Sequence, residues 1–298
     1  MSVNWPGSSR CTRISKTPAV RWKRGTSGMD ALSAVGSAGE MGFVLRGFVA
    51  GLLASLACGL GAIPVAFRGL RLEERIGLAY AFAGGLMFAA AFYNLLMPAL
   101  TMGGDSASRL LPVAKTLAGM GLGAAFLWAV DGWLTPDRLA SSVFRSVGGR
   151  QGTLIFLAMA FHSIPEGIAV GVGYGSEAHV GCDGGLGTYI AIAIGIHNIP
   201  EGLAVALPLR LGGASLGRCF LLAFLTSLPQ PIAAVPAAWL VWLAEPLMLP
   251  LLGFAAGAMI YLVLLELIPD ALKRHDPPEI AWSFLAGFGL MVLVQVAL

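Results

Sequence analysis

Eight runs of apolar residues, each close to the length of a membrane-crossing helix, leave this chain few folds to adopt. They fall at roughly 47–67, 76–100, 111–134, 153–173, 188–209, 219–243, 250–271 and 280–298. A helix needs about 20 residues to cross about 30 Å of hydrocarbon. Backbone amides find no water in lipid, so runs this long satisfy them internally, as helices. Composition agrees: 57% of the 298 residues are hydrophobic and 12% are charged, against about 25% charged in an ordinary soluble domain. The expected fold class is an all-α polytopic membrane protein with eight transmembrane helices, its first partner being the lipid bilayer. A net charge of +3 without a basic, aromatic-interleaved patch sets nucleic acid aside. Cys11, Cys58, Cys182 and Cys219 show no CxxC spacing, so neither a disulfide framework nor a Cys-type zinc site is expected.

Lys and Arg orient the spans. Arg68, Arg71 and Arg75 lie between spans one and two, Arg138, Arg145 and Arg150 between three and four, Arg210 and Arg218 between five and six, and Lys273 and Arg274 between seven and eight. The alternate loops carry almost none, with only Arg109 and Lys115 nearby. The first set of loops is therefore expected in the cytoplasm, and both termini outside an inner (plasma) membrane. Residues 1–40 conflict with this scheme: they hold Arg10, Arg13, Lys16, Arg21, Lys23 and Arg24 but lack the apolar core of a signal peptide. They read either as a disordered basic tail or as an over-extended start, with Met29 or Met41 as the true one. Residues 41–298 form the expected eight-helix membrane domain.

An ionisable group inside a span is costly and marks a functional hypothesis. Span four, TLIFLAMAFHSIPEGIAVGVG, holds only His162 and Glu166; span five, TYIAIAIGIHNIPEGLAVALPL, holds only His197 and Glu201. The string H-x-I-P-E-G-x-A-V thus occurs twice, thirty-five positions apart. Residues at i and i+4 share a helical face. Two such helices side by side present two imidazoles and two carboxylates to one point, a set suited to Zn²⁺ and its first-row neighbours. Pro165 and Pro200 lack an amide hydrogen, which frees the carbonyls of Phe161 and Ile196 and opens the helix beside the ligands. Both histidines lie about nine residues into antiparallel spans, which places them near mid-membrane, where transporters bind on interrupted helices.

Other polar groups lie at similar depth. Met87 and Asn94 are in span two, and Gln230 sits in the Ser-Leu-Pro-Gln-Pro run of span six. Met87 fits apolar packing as well as ligation; Gln230 and Asn94 fit hydrogen bonding within or between helices as well as metal contact. Asp131, Glu266 and Asp270 near the inner ends of spans three and seven form either an acidic exit or a solvated edge. Glu177, His179, Cys182 and Asp183 fall in an expected outer loop, 174–187, and His275 in a cytoplasmic turn. The alternative to transport is an intramembrane metalloenzyme. Zinc proteases, however, carry His-Glu-x-x-His, and di-iron bundles carry Glu-x-x-His, whereas this chain repeats His-x-x-x-Glu. A metal-gated channel or sensor differs from a carrier in its flux, not in its sequence. No organic cofactor is expected.

The paired motifs HSIPEG (162–167) and HNIPEG (197–202) resemble the two central helices of the ZIP (Zrt/Irt-like) metal transporters, and most nearly their prokaryotic branch. The resemblance covers roughly 42–298. It implies a 3+2+3 inverted-repeat arrangement, with spans one to three and six to eight around the motif helices, and both termini outside. It also implies inward movement of divalent ions, Zn²⁺ first with Fe²⁺, Mn²⁺ and Cd²⁺ admitted, by alternating access, in a chain able to form a homodimer. By position, His162, Glu166, His197 and Glu201 match metal ligands. Met87, in AGGLMFAAA, resembles a ligand on the second helix; Asn198 matches a residue serving a second, adjacent metal; and Glu266, in LLELIPD, resembles an exit-side carboxylate. Two departures bear on stoichiometry: Ser163 stands where Asn is common, and Gln230 where some members have Glu. One strong site with a weakened or absent second one is expected. The loop 135–152 lacks the histidines often found there.

Overall fold

The computed structural model describes residues 42–67, 72–101, 110–133, 149–180 and 185–297. Among these, every regular element is helical. The long helices are α1 (Gly42–Leu60), α2 (Ile76–Thr101), α3 (Leu110–Trp133), α4 (Gly149–Val180), α5 (Leu186–Leu211), α6 (Leu216–Leu243), α7 (Met248–Leu272) and α8 (Pro277–Ala297). Seven of them, all but α4, are long and apolar enough to cross a membrane. Helix α4 has 32 residues and carries the first His/Glu motif. Leu122, Trp128, Trp282 and Leu293 are exposed on α3 and α8, as lipid-facing side chains are. Residues 1–40, Arg68, Arg71, Arg109, Arg138, Arg145, Cys182 and Asp183 lie outside the described residues, as does most of the loop 135–152.

Two boundaries differ from the sequence expectation: α1 begins at Gly42 rather than near 47, and α4 ends late. Helix α4 runs on to Val180, so Glu177 and His179 are helical rather than part of an outer loop. Hydropathy misses this because the extension is held by polar contacts. The Gly187 amide at the start of α5 donates to Glu177 Oε1 at 2.7 Å, and the Tyr174 and Thr188 hydroxyls meet at 3.2 Å. Gly185 enters α5 with φ of 72°, a left-handed conformation that glycine adopts without a Cβ penalty.

Prolines interrupt α6. Pro229 and Pro231 have no amide hydrogen, so the carbonyls of Leu225 and Ser227 lose their helical donors. Leu225 O accepts instead from the Leu228 amide at 3.3 Å. Ser227 O accepts from the Ser55 hydroxyl of α1 at 2.7 Å. The break is thereby satisfied across helices, and Gln230 follows it fully buried.

Helices α2 and α7 share a second distortion. The Met97 amide donates to Phe92 O and the Ile268 amide to Val263 O, each five residues back, in a single widened turn of the kind that clusters at functional sites. Both turns lie just before a proline, Pro98 and Pro269. The two helices also share a pattern, Phe82-Ala83-x-Gly85-x-Met87 and Phe254-Ala255-x-Gly257-x-Met259. Asn94 and Glu266 each stand seven residues after the methionine, inside the widened turn.

Glycines set the closest packing. A methyl group on Gly257 of α7 would overlap the Met120 carbonyl oxygen of α3, and one on Gly287 of α8 would overlap that of Phe82 in α2. Likewise Gly171 of α4 abuts Ala234 O of α6, and Gly202 of α5 abuts Cys58 O of α1. Small residues allow such backbone approach where lipid offers no hydrophobic drive to pack. α3 therefore lies on α7 as α8 lies on α2, and α4 on α6 as α5 lies on α1.

Candidate metal centre

Glu166 of α4 with His197 and Glu201 of α5 form the one group of three or more potential metal ligands among the described residues. One donor atom from each lies within 4.8 Å of the others. All three are buried, at 0%, 0% and 2% exposure. The four-residue spacing of His197 and Glu201 stacks them on one face of α5, and α4 brings Glu166 alongside. His197 Nε2 lies 3.2 Å from Glu166 Oε1. The other oxygen, Glu166 Oε2, accepts a close hydrogen bond from Gln230 Nε2.

The orientation of Gln230 is fixed from behind. Asn198 Nδ2 donates to the main-chain oxygen of Ala54 at 2.9 Å and to Gln230 Oε1 at 3.1 Å. A backbone carbonyl only accepts, so Asn198 must turn its amino group this way. Gln230 must then present oxygen to Asn198 and N–H to Glu166. A chain of amides therefore runs from Ala54 of α1 through α5 and α6 to Glu166 on α4.

Several buried atoms in this centre have no partner: both carboxylate oxygens of Glu201, His197 Nδ1 and Asn198 Oδ1. A buried polar group left unpaired costs about 1–3 kcal/mol, and a charged one more. A cation bound there would cancel that cost for Glu201. Two carboxylates and an imidazole are a borderline donor set, suited to Zn²⁺ and its first-row neighbours.

The remaining sequence candidates are placed as follows. His162 stands one turn before Glu166 on α4 and outside the close trio; its Nε2 is 3.6 Å from Glu266 Oε1 of α7. Together with Asp131, Leu127, Val130 and Tyr261 these two line a small cavity. Met87 is 2% exposed and packs in an apolar cluster with Leu127, Ala258, Leu262, Val263 and Leu267. Asn94 is buried and accepts from Gln295 Nε2 of α8 at 2.8 Å, while its own amide nitrogen has no partner. The Ser163 hydroxyl donates back to Met159 O at 3.1 Å. Asp270 pairs with Lys273 at 2.6 Å on the exposed end of α7. Sequence reasoning passed over Ser55, the Ala54 carbonyl and Gln295. Gln295 could have been noticed as a lone amide in the last apolar run; the other two carry no signal a sequence shows.

The sequence profile described as ZIP Zinc transporter matches residues 138–295. The protein named zinc transporter GufA of Myxococcus xanthus is 35% identical over 262 residues, covering 85% of this chain and 98% of that protein. Zinc transporter ZupT of Chlorobium phaeovibrioides is 34% identical over 257 residues, covering 81% and 94%. The human zinc transporter ZIP11 is 43% identical over 150 residues, which is 50% of this chain and 44% of that protein's length.

Proposed function

The chain belongs to the ZIP family, and we propose that it carries divalent transition-metal ions, Zn²⁺ first, across the membrane at a centre built from Glu166, His197 and Glu201. It is a multi-pass membrane protein and a transporter, not an enzyme; its relatives are named zinc transporters. The observation that carries the site assignment is the buried trio itself, in which both Glu201 oxygens await a partner. His162 is the fourth ligand when its imidazole turns from Glu266 toward Glu166, one turn away, and Met87 adds a sulfur donor from α2. The Gln230 N–H occupies the side of Glu166 from which a second, bridged cation would be held. This supports one ion per chain, with Asn198 and Gln230 shaping the site rather than holding a second metal.

The architecture belongs to the same reading: eight spans in a 3+2+3 inverted arrangement, α1–α3 and α6–α8 about α4 and α5. It is supported by the length of α4, by the pattern and widened turn common to α2 and α7, and by the matched packing of α3 on α7 and α8 on α2. The Lys/Arg asymmetry supports an inner-membrane placement with both termini outside. In that orientation His162, Glu266 and Asp131 lie on the cytoplasmic side of the trio. An ion released there passes from a dry site to an acidic cavity. The ligands must be deprotonated to bind, so protons compete with the metal at release. Movement of one helix group against the other exposes the site to each side in turn. Residues 41–298 make up the transport unit, and assembly as a homodimer is tested by the mass of the detergent-solubilised protein.

The decisive experiment is zinc uptake into proteoliposomes with His197→Ala and Glu201→Ala. Both variants should fall to the rate of empty vesicles. Uptake at the wild-type rate in both ends the proposal. Competition of labelled Zn²⁺ by Fe²⁺, Mn²⁺ and Cd²⁺ then ranks the cargo, which affinity order alone does not fix.

A further inference from the structure

The packing of α3 on α7 and of α8 on α2 puts the two helix pairs in one register. Phe82 and Met87 of α2 recur as Phe254 and Met259 of α7. Gly287 of α8 abuts the Phe82 carbonyl oxygen, and Gly123 of α3 abuts that of Phe254. A second contact gives the same match: Gly85 abuts Phe284 O, and Gly257 abuts Met120 O. Phe284 stands three residues before Gly287, as Met120 does before Gly123. Gln295 and Asp131 therefore correspond, each eight residues after its glycine, just as Asn94 and Glu266 correspond in the widened turns. The chain thus carries two matched pairs, Asn94 with Gln295 and Glu266 with Asp131. In the eight-span reading α2 and α7 run in opposite directions, so the first pair lies toward the outside and the second toward the cytoplasm.

The two pairs stand in different states. Glu266 and Asp131 border a cavity together with Leu127 and Leu262, and the Glu266 side chain is 32% exposed. The matching outer side is shut. Met291 and Ala90, the counterparts of Leu127 and Leu262, are 0% and 2% exposed and pack with Ala193 of α5. Gln295 Nε2 donates to Asn94 Oδ1 at 2.8 Å, while the buried amide nitrogen of Asn94 has no partner. Buried polar groups are paired almost everywhere in folded proteins, and an amide satisfied at one end only calls for an explanation. We infer that Asn94 and Gln295 form the outer gate of the transport path, closed in this structure while the inner cavity is open. Gln295 satisfies one end of the Asn94 amide when water is shut out, and so favours closure. The bare other end gains a partner only when α5 withdraws and water enters, and so favours opening. Gln295 acts through Asn94 and is a positioning residue. The gate rests on the transport reading above, since carriers built from inverted repeats expose their site to one side at a time.

The test is the rate at which a water-soluble maleimide labels Ala90→Cys in the purified, detergent-solubilised protein, with Cys11→Ser and Cys182→Ser in the same chain. Cys58 and Cys219 are buried, and label appearing at Cys219 marks unfolding. Asn94→Leu removes the bare group and should slow labelling at position 90 by roughly 10-fold, equivalent to about 1.4 kcal/mol on the opening equilibrium. Gln295→Leu leaves both ends of the Asn94 amide bare and should speed labelling by a similar factor, with Cys219 still protected. A bond that merely joins α2 to α8 would leave the rate unchanged in both variants or raise it in both, and either result overturns the gate. Asn94→Leu decides alone if Gln295→Leu exposes Cys219, because unfolding cannot slow the labelling. Zinc uptake by wild type in proteoliposomes, together with an unchanged labelling rate in Asn94→Leu, overturns the gate and leaves the transport reading standing. Absence of zinc uptake by wild type removes both.

Discussion

Replacing Gln230 by Glu should turn a centre for one ion into a centre for two. In the native arrangement the Gln230 amide donates to Glu166 Oε2, and Asn198 holds that amide in register through bonds of 2.9 Å to Ala54 O and 3.1 Å to Gln230 Oε1. Glutamate keeps an oxygen facing Asn198 but replaces the donor facing Glu166 by a second oxygen. The native bond is charge-assisted, worth about 1.5–3 kcal/mol, and regaining it requires one carboxyl to take up a proton at neutral pH, because two carboxylates in contact do not both stay ionised without a cation between them. The metal-free variant should therefore unfold more readily than wild type by an amount of that order. A second cation bridged by Glu166 reverses the deficit, with Asn198 Oδ1, unpartnered in the native centre, as a further donor. At 100 times its dissociation constant such an ion adds about 2.7 kcal/mol of stability. The assay is elemental analysis of zinc per chain after gel filtration, paired with thermal unfolding in detergent with and without zinc. One zinc in both proteins, or two in wild type, would refute the reasoning.

Four further outcomes are expected. Glu201→Gln should abolish zinc uptake yet leave the metal-free protein at least as stable as wild type, since it removes a buried carboxylate that has no partner; a lower thermal midpoint would contradict this. Gly202→Ala should cost about 1–3 kcal/mol or more by forcing α1 from α5 at Cys58, whereas Gly195→Ala, with open space around it, should be close to neutral in the same unfolding experiment. Ser55→Ala leaves Ser227 O without its cross-helix donor and should cost about 1–3 kcal/mol, read by thermal unfolding. Glu266→Gln should leave zinc stoichiometry intact and slow uptake, because the residue faces His162 rather than the trio; loss of bound zinc would place it in the primary site.

Much of the fold was legible because lipid imposes one simple rule on the chain. Each apolar run became a long helix, since no other element closes its own hydrogen bonds there. The ends were less legible: α4 overran its apolar stretch because Glu177 and Tyr174 tie it to α5, and hydropathy does not see such ties. In the site, the repeated His/Glu spacing pointed to four side chains at one place, whereas the structure groups Glu166, His197 and Glu201 and leaves His162 outside them. The pairing of His162 with Glu266 depends on how α4 meets α7, a contact between residues far apart in sequence. Gln230 stood out as polar, but its direction is set by a main-chain oxygen on α1, which no side-chain pattern encodes. The pattern shared by α2 and α7 was present in the sequence and passed unused, because it is short and its flanks diverge.

The positions that Asn94 and Glu266 hold in their matching widened turns have a thermodynamic corollary. One turn offers a neutral amide and the other a carboxylate, so the two would be unequal hosts for a cation passing either turn. Detailed balance forbids that inequality from rectifying flow in a passive carrier. It changes where the ion dwells and how steeply each half-cycle saturates, while the sign of net flux follows the gradients of metal and of any coupled proton. Exchanging the two side chains should therefore change the ratio of the half-saturation constants measured from opposite faces of a vesicle and leave the equilibrium distribution of zinc untouched.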